Sequence, residues 1–129
     1  MPLTRISLGE QYSDQQLTEI SEVLHQSLTD EFAVPLKDKF QIFDRLPATQ
    51  RIFDRHYLSG QRSEHYILFQ ITAGKSRTLE QKQNFYRALT QGLHDKLGIS
   101  PDDVMVVIQF NQAGDWSFSQ GHMYCPEAR

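Results

Sequence analysis

Four groups of residues in this chain have types and spacing suited to chemistry. The first is Pro2, directly ahead of a β-type run, Leu3-Thr4-Arg5-Ile6-Ser7-Leu8. If the initiator Met1 is removed, the Pro2 nitrogen becomes a free secondary amine, an α-amino group with an ordinary pKa of about 8. Burial and neighbouring cations both disfavour the ammonium form and lower that pKa. Pro2 would then be a general base at neutral pH; left cationic, it is an acid and an electrostatic anchor. The plainer reading is that Pro2 begins a strand, where proline is tolerated. The second group is Lys75 and Arg77, two apart in an extended loop, so that both can face one side. They stand just ahead of a T-x-x-Q capping box at Thr78, beside the free N–H groups and positive dipole end of a helix. That suits a substrate carboxylate, and the pair would depress the Pro2 amine if it lies close. A short basic pair is also what an ordinary solvated loop carries. The third is Asp38, able to orient a water, hydrogen-bond the Pro2 amine or place a proton, and equally a turn-former in Pro35-Leu36-Lys37-Asp38. The fourth is Trp116 and Phe118, which would wall a pocket and exclude water, or else pack at a subunit contact.

Other reactive side chains group less well. His122 and Cys125 are three apart, but a metal site needs three or four ligands and no second pair accompanies them, so no metal is assigned. Cys125 would need an activating base to be a nucleophile. His25 and His94 fall on helices and read as solvent-facing or intermediate; His56 and His65 lie in or beside a linker. The 129 residues, 22% charged and 39% hydrophobic, fit one compact domain over 1–129 with a real core. A net charge of −3 with both signs interspersed lacks the basic stripe of a nucleic-acid binder. No apolar run approaches membrane-spanning length, and the start of the chain lacks a secretory signal. One cysteine excludes an intramolecular disulfide framework. A reducing cytoplasm is the expected location, with neither nucleic acid nor membrane as partner.

The elements that must position these residues repeat at an offset of 65. A strand over 2–8 is followed by an S-x-x-Q capping box at Ser13. A helix with Leu17, Ile20, Leu24 and Leu28 on one stripe follows, ending near Phe32 before Pro35. A second strand runs over Phe40–Leu46. In the second half, Tyr66–Thr72 is the matching strand, and Thr78 opens a helix whose Phe85, Leu89 and Leu93 lie 65 after Ile20, Leu24 and Leu28. Val104–Phe110 is the last main strand, apolar almost throughout, as in strands buried on both faces. Two β-α-β units, about 2–46 and 66–110, make an α/β (α+β) fold: a four-stranded sheet with two helices on one face. The other face needs covering, for Val104, Val106, Ile108 and Phe69 must bury against something, and oligomerisation is the natural cover. The linker over 47–65 reads as an ordered excursion, because Ile52-Phe53 and Tyr57-Leu58 can pack locally. The C-terminal arm over 111–129 alternates at Trp116 and Phe118, which suggests a short strand or hairpin.

Pro2 opening a strand, the tandem β-α-β units and four further stretches together carry a family likeness. These stretches are Val34-Pro35 with Asp38, Arg77-Thr78-Leu79-Glu80-Gln81-Lys82, Pro101 with Asp103-Val104-Met105, and Asp115-Trp116-Ser117-Phe118. The chain resembles the tautomerase superfamily from Pro2 through Phe118, and within it the malonate semialdehyde decarboxylase branch. The resemblance implies a homotrimer around a barrel-like core, active sites near subunit boundaries, and the free Pro2 amine as the catalytic group. It implies no metal or organic cofactor, and a small oxo-carboxylate as substrate. The decarboxylase branch carries an aspartate after the first helix, here Asp38, and two arginines ahead of the second helix. Here the second of these is Arg77, but the first position is Lys75. An arginine grips a carboxylate with two parallel hydrogen bonds, whereas lysine is a point charge. The aromatic wall of that branch falls on Trp116 and Phe118.

Three functions follow as expectations. The leading one is a cofactor-free tautomerase on a small 2-oxo or enol carboxylate, with Pro2 as general base and Lys75 and Arg77 holding the acid and the developing enolate. The alternative is decarboxylation of a 3-oxo acid such as malonate semialdehyde, or a hydratase or dehalogenase, with Pro2 cationic. The third is a catalytically idle trimeric binding module.

Overall fold

A computed structural model describes residues 2–126. Strand β1 spans Pro2–Gly9, helix α1 Asp14–Phe32, strand β2 Phe40–Leu46, strand β3 Ile67–Ala73, helix α2 Leu79–Leu97 and strand β4 Val104–Phe110. The strands form one sheet in the order β2-β1-β3-β4. β1 is parallel to β2, β3 is parallel to β4, and the two pairs meet antiparallel along β1 and β3. Each half is therefore a β-α-β unit.

Both helices begin as their sequences dictate. Ser13 accepts from the Gln16 N–H while Gln16 reaches back to the Ser13 N–H, and Thr78 with Gln81 repeats the arrangement, so two orphan donors are satisfied at each start. The helices end alike, in left-handed residues: Ala33 (φ 55°) after α1 and Gly98 (φ 70°) after α2. Ala33 holds a conformation that favours glycine, before Pro35 prevents further helix. The apolar stripes of both helices, Ile20, Leu24, Leu28 and Phe32 with Phe85, Leu89 and Leu93, pack on Ile6, Leu8, Ile67, Phe69 and Ile71 of the central strands. α1 and α2 approach closely at Gly92, where an added Cβ would stand 2.8 Å from Val23 Cγ1.

The sheet's second face is open, but different residues occupy it than the sequence suggested. Val104, Val106, Ile108 and Phe69 point to the helix layer and join the core. The open face instead carries Leu3, Phe40, Ile42, Met105 and Val107, each 39–48% exposed, interspersed with Arg5, Gln70 and Gln109. β4 is apolar on both sides, so its run alone does not say which side meets the helices. Two further expectations are corrected. His25 is buried, its Nε2 2.8 Å from the Leu36 carbonyl, because it lies beside the core stripe of α1. The arm forms no strand among the described residues. Asp115 Oδ2 accepts the Gln112 N–H and winds 113–115 into a turn. The chain then reverses at Gln120 and Gly121, both at positive φ, and the Tyr124 N–H closes on the Trp116 carbonyl at 2.8 Å.

The excursion after β2 is ordered by polar contacts and not by the local packing the sequence suggested: Phe53 packs on Tyr66 at 4.4 Å, but Ile52, Tyr57 and Leu58 are exposed. Arg51 donates to the Tyr66 and Glu64 carbonyls, and Arg62 to those of Asp54 and Tyr57. Asp103 is buried and accepts from both the N–H and hydroxyl of Ser63 (2.5 and 2.6 Å). It fastens this excursion, while its own N–H closes a turn on the Ser100 carbonyl at 2.9 Å. No described helix is long and apolar enough to cross a membrane.

Candidate active site

The strand directions bring the chemistry-bearing residues to one end of the sheet. Pro2 opens β1 opposite Ala73, the last residue of β3, and Ala73 pairs with Phe110, the last residue of β4. The Asn111 N–H closes this row on the Ala73 carbonyl at 2.9 Å. β2 starts at the same end, with Phe40 beside Leu3. Lys75 and Arg77 leave β3 there, Asp38 enters β2 there, and the arm with Trp116 and Phe118 leaves β4 there. Pro2 itself is buried, on the helix side of the sheet.

Arg77 is the most constrained of these side chains. It is half-buried, and that burial holds its guanidinium pKa below its ordinary value, though the group stays cationic at physiological pH. Nη2 donates to the Phe32 carbonyl at 2.9 Å, Nη1 to the carbonyl of Lys75, and Cζ lies 5.0 Å from the Phe32 ring centroid. Its partners are thus two neutral carbonyls and a ring; no described carboxylate pairs with it. Lys75 is exposed, and its ammonium pairs with none of the described residues. Asp38 is half-buried, its N–H closing a turn on the Pro35 carbonyl at 3.0 Å.

The aromatic residues come together as one cluster. Trp116 and Phe118 stack at 5.6 Å and 16°. Phe118 leans on Phe40 at 5.9 Å and meets Tyr124 edge-on at 5.4 Å. Trp116 Nε1 donates to Asn111 Oδ1 at 2.6 Å, tying the wall to the end of β4. Through Phe40 the cluster borders the open face of the sheet. Sequence reasoning missed Phe32, Phe40, Lys82 and Asn111. Lys82 Nζ sits 5.6 Å over the Phe110 ring, adding a cation at the row that Pro2 begins. The one available signal was position, since Lys82 falls in the first turn of α2 and Phe40 at the start of β2. His122 and Cys125 are exposed, and among the described residues no group of three His, Cys, Asp or Glu converges.

A family model described as a tautomerase enzyme matches residues 38–119. The chain is 35% identical over 121 residues to the probable tautomerase YusQ of Bacillus subtilis (strain 168), covering 94% of this chain and 95% of that one. Among solved structures it is similar to a malonate semialdehyde decarboxylase, studied for decarboxylase and hydratase activities. The TM-score is 0.88, with 31% identity over 94% of this chain and 93% of that one. The fold is also that of a fused 4-OT solved as a symmetric trimer, at TM-score 0.76, 21% identity and 94% coverage of both chains. On these matches the chain belongs to the tautomerase family and is an enzyme of isomerase or lyase type.

Proposed function

We propose that this single-domain protein is a cofactor-free tautomerase acting on a small 2-oxo or enol carboxylate, with the free Pro2 amine as general base. The observation that carries this reading is the burial of Pro2 at the sheet end where Lys75 and Arg77 leave β3. Desolvation and nearby cations both favour a neutral amine. In the keto-to-enol direction, Pro2 takes the proton from the carbon next to the carbonyl. The C–H electron pair enters the new double bond, charge gathers on the oxygen, and the proton is then delivered there; the reverse reaction retraces these steps. Lys75 and Arg77 hold the carboxylate and stabilise the enolate. A guanidinium has five N–H donors, and two are engaged here, so those remaining suffice for a two-point grip without leaving α1. Asp38 assists at the Pro2 nitrogen, and Trp116 and Phe118 keep water out.

Decarboxylation of a small 3-oxo acid is the second reading, favoured by the likeness to malonate semialdehyde decarboxylase. There a cationic Pro2 polarises the carbonyl while the carboxylate's C–C bond breaks, carbon dioxide leaves, and the resulting enolate is protonated. Lys75, in place of that branch's arginine, weakens the two-point orientation this route needs.

The subunit assembles as a homotrimer, the state in which the fused 4-OT was solved; the open sheet face is the surface that buries in it, which sets the site at a subunit border. Steady-state kinetics test the leading reading. With Met1 removed, Pro2→Ala should lower kcat for enol-to-keto conversion of a 2-oxo acid by about a hundredfold or more. Unchanged turnover in Pro2→Ala would contradict the general-base role.

A further inference from the structure

Phe32 lies on α1, far in sequence from the basic pair, yet it supplies two of the three contacts that fix Arg77. The carbonyl of Phe32 takes Nη2 at 2.9 Å, and its ring stands under the guanidinium with Cζ 5.0 Å from the centroid. That ring cannot easily move. It is 2% exposed and stacked on the fully buried Phe85 at 4.7 Å and 28°. Phe32 also ends α1, whose last turn contains no basic residue, so Arg77 is the cation that meets the negative end of that helix. An arginine side chain held from beneath and at one edge loses little further rotamer freedom on taking an anion.

We infer that Phe32 is a positioning residue: its ring and carbonyl preorganise Arg77 to receive a carboxylate. The inference rests on the reading that Arg77 binds the substrate acid. It also explains why a half-buried guanidinium without a described carboxylate partner is tolerated here. The ring face and the helix end supply part of the stabilisation that a counter-ion would give.

The test uses the full chain beginning at Pro2, with nitrogen-15 arginine and pyruvate, the smallest 2-oxo acid, as the probe. The Arg77 Nε–H resonance is identified by its loss in Arg77→Lys. Pyruvate affinity read at that resonance is compared among the unaltered protein, Phe32→Leu, and protein carrying pentafluorophenylalanine at position 32. The fluorinated ring keeps the shape and packing but removes the negative face, so it reads out even if Phe32→Leu folds poorly. The expected result is a Kd for pyruvate weakened about fivefold in both variants, with the fluorinated protein melting as the unaltered one does. Equal affinity at Arg77 in all three proteins would overturn the positioning role, because a purely structural Phe32 would change melting and not binding. If pyruvate leaves the Arg77 resonance of the unaltered protein unmoved, the carboxylate role of Arg77 itself falls, and this inference with it.

Discussion

Arg77 and Tyr12 show how single side chains are set by what buries them. Arg77 rests on neutral acceptors, the carbonyls of Lys75 and of Phe32 at the end of α1, and no described carboxylate neutralises its charge. Tyr12 belongs to the scaffold at the other end of the sheet. Its ring is buried, its hydroxyl donates to the His65 carbonyl at 2.6 Å, and burial pushes its phenol well above the ordinary range, the nearby Asp103 carboxylate adding to the effect. Burial also raises Tyr66. A phenol held protonated in the folded state stabilises it fully below the unfolded pKa of about 10, and that stability is lost as pH rises beyond it. Stability measured by denaturant titration should therefore show no loss from these phenols between neutral pH and about pH 10, and fall above it. Tyr12→Phe should make that fall shallower, whereas an unchanged alkaline slope would contradict the assignment to Tyr12.

The two helices start with the same device but differ in what lies beside it. Ser13 caps α1 away from the candidate site, while Thr78 caps α2 directly after Lys75 and Arg77. Each of Ser13→Ala and Thr78→Ala should cost about 1 kcal/mol of stability, measured by urea unfolding. Only Thr78→Ala should also raise KM for an acid substrate; an equal effect of Ser13→Ala on KM would count against an anion site at the start of α2. These caps were legible because their chemistry is local, spanning four residues, and because the pattern recurs 65 residues on. Both helices and all four strands could be read from the sequence, with β1 running on to Gly9 and β3 shifted by one residue to Ile67–Ala73. What could not be read depends on contacts distant in sequence. Phe32 and Arg77 meet only because α1 ends where β3 exits. Phe40 joins Phe118 only after the arm turns back. The side of β4 that meets the helices is decided by its register with β3, since Val104 through Ile108 are apolar on both sides. His25 looked peripheral because the stripe of Leu17, Ile20, Leu24 and Leu28 was read as one narrow row; in the fold the buried face is wide enough to include it.

At the scale of the whole molecule, the open sheet face is the chief unfinished surface. Leu3, Phe40, Ile42, Met105 and Val107 lie on it together, and exposed apolar area of this kind marks an interaction surface. The aromatic wall borders the same face through Phe40, so assembly there and completion of the site are linked in this account. Val107→Asp places a charge on that face, midway along the edge strand β4. By analytical ultracentrifugation it should shift the protein from trimer to monomer, and turnover should fall about tenfold or more, because desolvation of a charge at an interface costs several kcal/mol. A fully active monomer would contradict the linkage.

The catalytic expectations depend on the state of one nitrogen, that of Pro2. Its titration by NMR, on protein labelled with nitrogen-15 at proline and with intact mass confirming loss of Met1, tests the general-base role most directly. The expected Pro2 pKa lies well below the ordinary value of about 8, because the residue is buried at the sheet end where Lys75 and Arg77 leave β3. A pKa at or above that value would contradict it and leave a cationic amine suited to decarboxylation.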